Sequence, residues 1–191
     1  MIAIVVGFAC ALAVVLLVPT YIDRKHEKTG SEWYKEHIRT NINIAPPTIV
    51  FPIVWSLLYL CIAAAIALWA FIQPSSEWTS GRFMATWTLF SANLLFNRLW
   101  TLIFFSFRDK TWSVSLALFD AFLILGTAIA IVVFFHLSPE HNGWIFGLWY
   151  PYIAWCAFAF TLTLAIWLGV REGKFGTTYA SMNEMRVFQT M

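Results

Sequence analysis

The chain has 191 residues, of which 60% are hydrophobic and 12% charged, with a formal net charge of +2. A soluble domain carries roughly 25% charged residues, so the composition excludes an ordinary water-soluble globule and describes a membrane protein. The small net charge gives no basic surface for nucleic acid, and the basic residues present follow a membrane topology.

Five apolar stretches, at about 1–22, 46–73, 83–107, 113–136 and 144–169, each approach or exceed the ~20 residues an α-helix needs to cross ~30 Å of hydrocarbon. Backbone polar groups cannot be left unpaired in lipid, and these runs lack the short alternation of barrel strands. The expected fold is an all-α membrane protein, a five-transmembrane-helix bundle, with helices α1 to α5 at these stretches. One transmembrane domain, 1–169, is followed by a polar C-terminal tail, 170–191.

The α1 stretch, MIAIVVGFACALAVVLLVP, has no Lys or Arg before it and is followed by DRKHEK. It lacks the charged start and small-residue cleavage site of a signal peptide and is read as a retained helix. Arg24, Lys25, Lys28, Lys35 and Arg39 lie between α1 and α2. Arg108 and Lys110 lie between α3 and α4, and Arg171, Lys174 and Arg186 follow α5, against Arg82 alone on the other side. The positive-inside rule then puts the C-terminus in the cytoplasm and the N-terminus outside.

The α2 stretch opens with Pro46 and Pro47 and places Trp55 and Tyr59 four residues apart, with Pro52 one turn before Trp55. In α3 the run NLLFNRLWTLIFF puts Asn93, Asn97, Trp100 and Phe104 on one helical face. Arg98 points about 100° away from that face. Asp120 in α4 is the one acidic residue within the predicted spans, so an Arg98–Asp120 ion pair is expected as a structural tie. In α5, Tyr152, Trp155, Ala159, Thr163 and Ile166 form a further stripe, and Pro151, with Pro52, is expected to loosen a helix entrance.

Amides and indoles facing lipid are costly, so these stripes should face the bundle interior, either bonding helix to helix or lining a site. Three helices offering large aromatic rings with polar tips, beside a small residue, suit a flat and mostly apolar ligand. Trp33, Trp78, Trp112 and Trp144 lie near predicted ends and fit an interfacial belt. Cys10, Cys61 and Cys156 sit in three different helices without metal spacing, and His26, His37, His136 and His141 lie in or beside loops. No catalytic dyad, metal site or cofactor motif is therefore expected. Small residues at four-residue spacing, among them Ala63 and Ala67, and Ala117 and Ala121, permit close helix approach within the bundle or between copies in a homodimer.

Four segments taken together resemble the TspO/MBR family, the tryptophan-rich sensory and translocator proteins also called peripheral-type benzodiazepine receptors. PPTIVFPIVWSLLY resembles its Pro-Pro, Pro-x-x-Trp-x-x-Leu-Tyr segment, NLLFNRLWTLIFF its Asn-x-x-Trp-x-x-x-Phe-Phe segment, LALFD the start of its fourth helix, and YPYIAWCAFAFTLTLAIW its Tyr-Pro-Tyr-x-x-Trp segment. The resemblance spans most of the chain. It implies a five-helix bundle, usually a homodimer, with a pocket that opens toward the α1–α2 loop. Porphyrins, especially protoporphyrin, are the implied ligands, with sterol and drug-like molecules in animal members.

By the resemblance Trp55, Tyr59, Asn97, Trp100, Trp155 and Ala159 line that pocket, Asn93 and Tyr152 join it by helical phase, and Pro46 and Pro47 shape its lid. The chain departs from the family pattern in NINIAPP before α2, in Asn93 for a common Gln, in Thr163 for a common Asn, in Arg98, and in a longer α3–α4 loop. The expected function is a membrane protein that binds tetrapyrroles or similar planar molecules in their transport, sensing or turnover. Light- or oxygen-dependent porphyrin degradation and a sterol- or lipid-binding scaffold are the alternatives. The implied membranes are bacterial or the mitochondrial outer membrane.

Overall fold

The computed structural model describes residues 32–106, 111–140 and 142–175. The α1 stretch, Cys10, His141 and the tail beyond Phe175 lie outside these residues. Among the described residues all regular structure is helical: α2 (Val50–Ile72), α3 (Gly81–Ser106), α4 (Thr111–Leu137) and α5 (Gly143–Arg171), with a π-helical turn at Tyr34–Ile38 and a 3-10 turn at Ser75–Thr79.

Local chemistry sets the ends. Pro52 falls in the first turn of α2, where a missing amide N–H removes no helical hydrogen bond; the expected loosening is absent there. Pro151 lies deeper, inside α5, and deprives the Gly147 carbonyl of its donor. Between α2 and α3 the chain turns extended at Gln73 and Pro74. The Ser80 hydroxyl then accepts from the Phe83 amide at 3.1 Å, which satisfies an early N–H of α3. Asn142 does the same for Trp144 at 2.9 Å. At the other end of α5, Gly173 is left-handed with φ +68°. The Gly173 amide donates to Val170 O at 3.2 Å and Lys174 to Gly169 O at 2.9 Å, the paired bonds of a Schellman stop.

Three of these helices, α2, α4 and α5, are long and apolar enough to cross a membrane. By that composition measure α3 is not among them, because Arg82, Asn93, Asn97, Arg98 and a series of threonines dilute its apolar run. α3 packs along α4, α4 along α5, and α5 along α2, so the four helices form an arc with α2 and α3 at its ends. Leu57, Leu60, Phe71, Leu95, Phe119, Phe122 and Val133 are exposed, while Thr86, Asn93, Asn97, Asp120 and Thr163 are buried. That inverts the soluble pattern, as a lipid solvent requires.

Trp112 and Trp144 stand exposed near helix ends, as belt residues would. Trp33 and Trp78 do not. Trp33 packs edge-on against Phe104, with ring centroids 5.8 Å apart, and Trp78 packs on the main core. A second, smaller core under the Tyr34–Ile38 turn gathers Tyr34, Ile38, Ala45, Phe104, Val114, Leu162, Ile166 and Phe175. It closes the end of the arc formed by the start of α2, the end of α3, the start of α4 and the end of α5.

Candidate functional site: an aromatic crevice walled by four helices

Four helices contribute two residues each to a narrow crevice with about 20 Å³ of enclosed space: Phe51 and Trp55 from α2, Asn97 and Trp100 from α3, Ala121 and Ile124 from α4, Cys156 and Ala159 from α5. Trp55 stacks on Tyr59 at 5.5 Å and meets Trp155 edge-on at 6.3 Å. Trp100 stacks on Phe104 at 4.8 Å. These contacts leave the rings few rotamers, so the walls are held in place before any molecule enters.

Of the residues expected to line a pocket, Trp55, Asn97, Trp100 and Ala159 do so. Tyr59, Asn93, Tyr152 and Trp155 stand behind the wall. Asn93 spends its amide nitrogen on the Ile124 carbonyl at 2.9 Å and the Thr127 hydroxyl at 2.8 Å, both on α4. The Tyr152 hydroxyl donates to Asn93 Oδ1 and accepts from Asn97 Nδ2 at 2.6 Å. A polar tie thus joins α3, α4 and α5 beneath the crevice, and Asn97 belongs to both. Trp155 supports Trp55 and Phe51 edge-on, and its Nε1 is buried with no hydrogen-bond acceptor among the described residues.

Sequence reasoning missed Phe51, Ala121, Ile124 and Cys156. Phe51 lies one turn before Trp55 and Cys156 three residues before Ala159, so helical phase reaches both. α4 carries no aromatic or amide marker on its wall face; Ala121 stands out only as a small residue four from Ala117, and nothing in the sequence singles out Ile124.

The Arg98–Asp120 ion pair does not form. Ion pairs among the described residues include Arg82–Glu77 at 3.2 Å and Lys174–Glu172 at 2.6 Å. Arg98 is turned about 100° from Asn97, off the face that carries Asn93 to α4. Asp120 is buried, and its Oδ2 has no hydrogen-bond donor among the described residues.

The loop end of the crevice is covered by the Tyr34–Ile38 turn. The Tyr34 hydroxyl donates to the Pro46 carbonyl at 3.2 Å, and its ring meets Phe51 edge-on at 5.5 Å. Burial pushes this hydroxyl up to about 12, against the opposing pull of the Arg39 charge. It therefore stays a protonated donor through the physiological range. Pro47 is exposed, and its carbonyl accepts from the Val50 amide at 3.0 Å as α2 begins. Among the described residues no three His, Cys, Asp or Glu side chains converge as a metal site would require. What the crevice offers is stacking surface, one amide and a thiol, which is binding chemistry.

Helices apolar enough for lipid, buried amides and a tryptophan-walled crevice describe an integral membrane protein with an aromatic crevice among its helices. The chain belongs to the TspO/MBR family, whose model matches residues 5–168. It is 32% identical to the translocator protein of Homo sapiens over 140 residues, 72% of this chain and 75% of that protein. It is 29% identical to the tryptophan-rich sensory protein of Cereibacter sphaeroides over 128 residues, 67% of this chain and 70% of that one. No solved structure gives a significant match.

Proposed function

We propose that this protein binds porphyrins, protoporphyrin above all, or similar planar hydrophobic molecules in the crevice, and acts in their transport, sensing or turnover. The observation that carries the reading is that Trp55 of α2 and Trp100 of α3 line one crevice together with the Asn97 amide of α3. Stacking supplies affinity for a flat apolar body, and the amide orients it. As it stands the crevice encloses only about 20 Å³, room for a water-sized body and far below the ~300–1,000 Å³ of small-molecule sites. A tetrapyrrole therefore enters with the Tyr34–Ile38 cover displaced. The relatives' names, translocator protein and tryptophan-rich sensory protein, support movement or detection of a small molecule over its chemical conversion.

In the same reading α1 and α3 also cross the membrane, making five spans over 1–169, with the C-terminal tail cytoplasmic. The functional unit is a homodimer, and membrane sterol or lipid competes for the crevice. Titration of the purified protein with protoporphyrin, followed by tryptophan fluorescence, tests the assignment. Saturable quenching is expected, weakened about tenfold or more in Trp55→Ala and Trp155→Ala; affinity unchanged in both variants would remove the crevice as the site.

A further inference from the structure

The outward-facing seam between α4 and α5 takes no part in the crevice, which these helices line with Ala121, Ile124, Cys156 and Ala159. Near the end of α5, Trp167 Nε1 donates to the Ser115 hydroxyl of α4 at 3.1 Å, which fixes the plane of the indole across the seam. Over that ring lies the guanidinium of Arg171, its Cζ 4.8 Å from the ring centroid. Stacking occupies the face of the guanidinium and leaves its in-plane N–H donors directed outward, the fork that grips a phosphate with two hydrogen bonds. Arg171 is exposed, and the neighbouring acid, Glu172, is taken by Lys174 at 2.6 Å. The first turn of α4 adds no acidic side chain. An oriented cation therefore stands at the residue that closes the α5 span.

Deeper in the span the same seam is apolar. One and two turns beyond Ser115, on its face of α4, are Phe119 and Phe122, both exposed. Two turns back from Trp167 on α5 is Phe160, and it meets Phe122 across the seam with ring centroids 6.5 Å apart. Because α4 and α5 run antiparallel, the Ser115–Trp167 and Phe122–Phe160 contacts are two rungs of one ladder, about 10 Å apart along the helix axes. A charged, hydrogen-bonding head at the boundary of the spans, followed by an aromatic strip running into them, fits an anionic amphiphile better than a free anion.

We infer that the α4–α5 seam binds an anionic phospholipid, with the phosphate held by Arg171 and an acyl chain laid along Phe119, Phe122 and Phe160. The Trp167–Ser115 hydrogen bond holds the ring that in turn holds the guanidinium, so less side-chain freedom is lost when the phosphate arrives. A basic residue that only adds charge at this end of the helices lacks that orientation. The site is independent of what occupies the crevice.

Dioleoylphosphatidylglycerol and dioleoylphosphatidylcholine share their acyl chains and differ in head-group charge, and the two lipids supplied in equal amounts test the site. Native mass spectrometry of the purified full-length protein is expected to show phosphatidylglycerol adducts in about fivefold excess over phosphatidylcholine. In Arg171→Gln the ratio should fall to about one. Lys35→Gln removes the same charge from an exposed residue at the same end of the helices and should leave the ratio as in wild type. Trp167→Phe keeps a ring but loses the N–H that ties it to Ser115, and should lower the ratio with Arg171 still present. A wild-type ratio near one overturns the proposal whether or not the variants fold. Equal losses in Arg171→Gln and Lys35→Gln also overturn it, since net charge and not an oriented guanidinium would then select the lipid. So does a preference abolished by excess glycerol 3-phosphate, which would make the occupant a free phosphate.

Discussion

Asn93, Asn97 and Tyr152 do two jobs with one hydrogen-bond network. Asn93 is consumed by α4 and by the Tyr152 hydroxyl, which makes it a strut. Asn97 is tied from behind by Tyr152 and fronts the crevice. Tyr152→Phe should therefore cost stability, about 0.6–1.7 kcal/mol on the scale of interhelical hydrogen bonds in membranes, readable as a lowered unfolding midpoint in detergent. A midpoint equal to wild type would mean the network is not fastening the helices. The periodicity of NLLFNRLWTLIFF places both amides on an inward face, and that much is legible in the sequence. Which of the two reaches a cavity depends on the register of α4 against α3, and a single helix's spacing contains no such information. Arg98 and Asp120 show the same gap. Opposite charges within two spans suggest a pair, but pairing is decided by rotation about each axis, and here α3 turns Arg98 aside.

The Tyr34–Ile38 turn and the end of α5 give predictions of element size. The Tyr34 hydroxyl is held at about 12, above its ordinary value of 10.0. A group raised in the folded state stabilises fully below its unfolded value and loses that contribution as pH climbs through the folded one. The cover should thus keep its seat at neutral pH and loosen between about pH 10 and pH 12, seen as rising amide hydrogen exchange over residues 34–38 after correction for intrinsic rates. Tyr34→Phe should remove that pH dependence. At the other element, Gly173 holds φ +68°, and Gly173→Ala should cost about 1 kcal/mol or slightly more through the left-handed penalty, with fraying of the last turn of α5 visible by exchange. The sequence marks these ends unequally. The Gly after a long helix is a readable stop signal, whereas the π-helical turn lies in a loop whose charged composition gives no hint that Tyr34 and Ile38 are buried beneath it.

At the scale of the molecule, the helix boundaries of α2 to α5 were legible to within a few residues because lipid demands long unbroken apolar runs. The order in which they pack was not, since every one of these helices is apolar around most of its circumference. The arc from α3 through α4 and α5 to α2 leaves its interior face concave, and the crevice is the hollow of that arc. If the hollow is where a porphyrin sits, occupying it with protein should exclude the molecule. Ala159 lines the crevice, while Ala154, on the same helix, is exposed. The most direct measurement is protoporphyrin affinity in Ala159→Phe beside Ala154→Phe, both checked for native unfolding midpoints. A loss of about tenfold or more is expected in Ala159→Phe and wild-type affinity in Ala154→Phe; equal affinity in the two variants would contradict binding in the hollow.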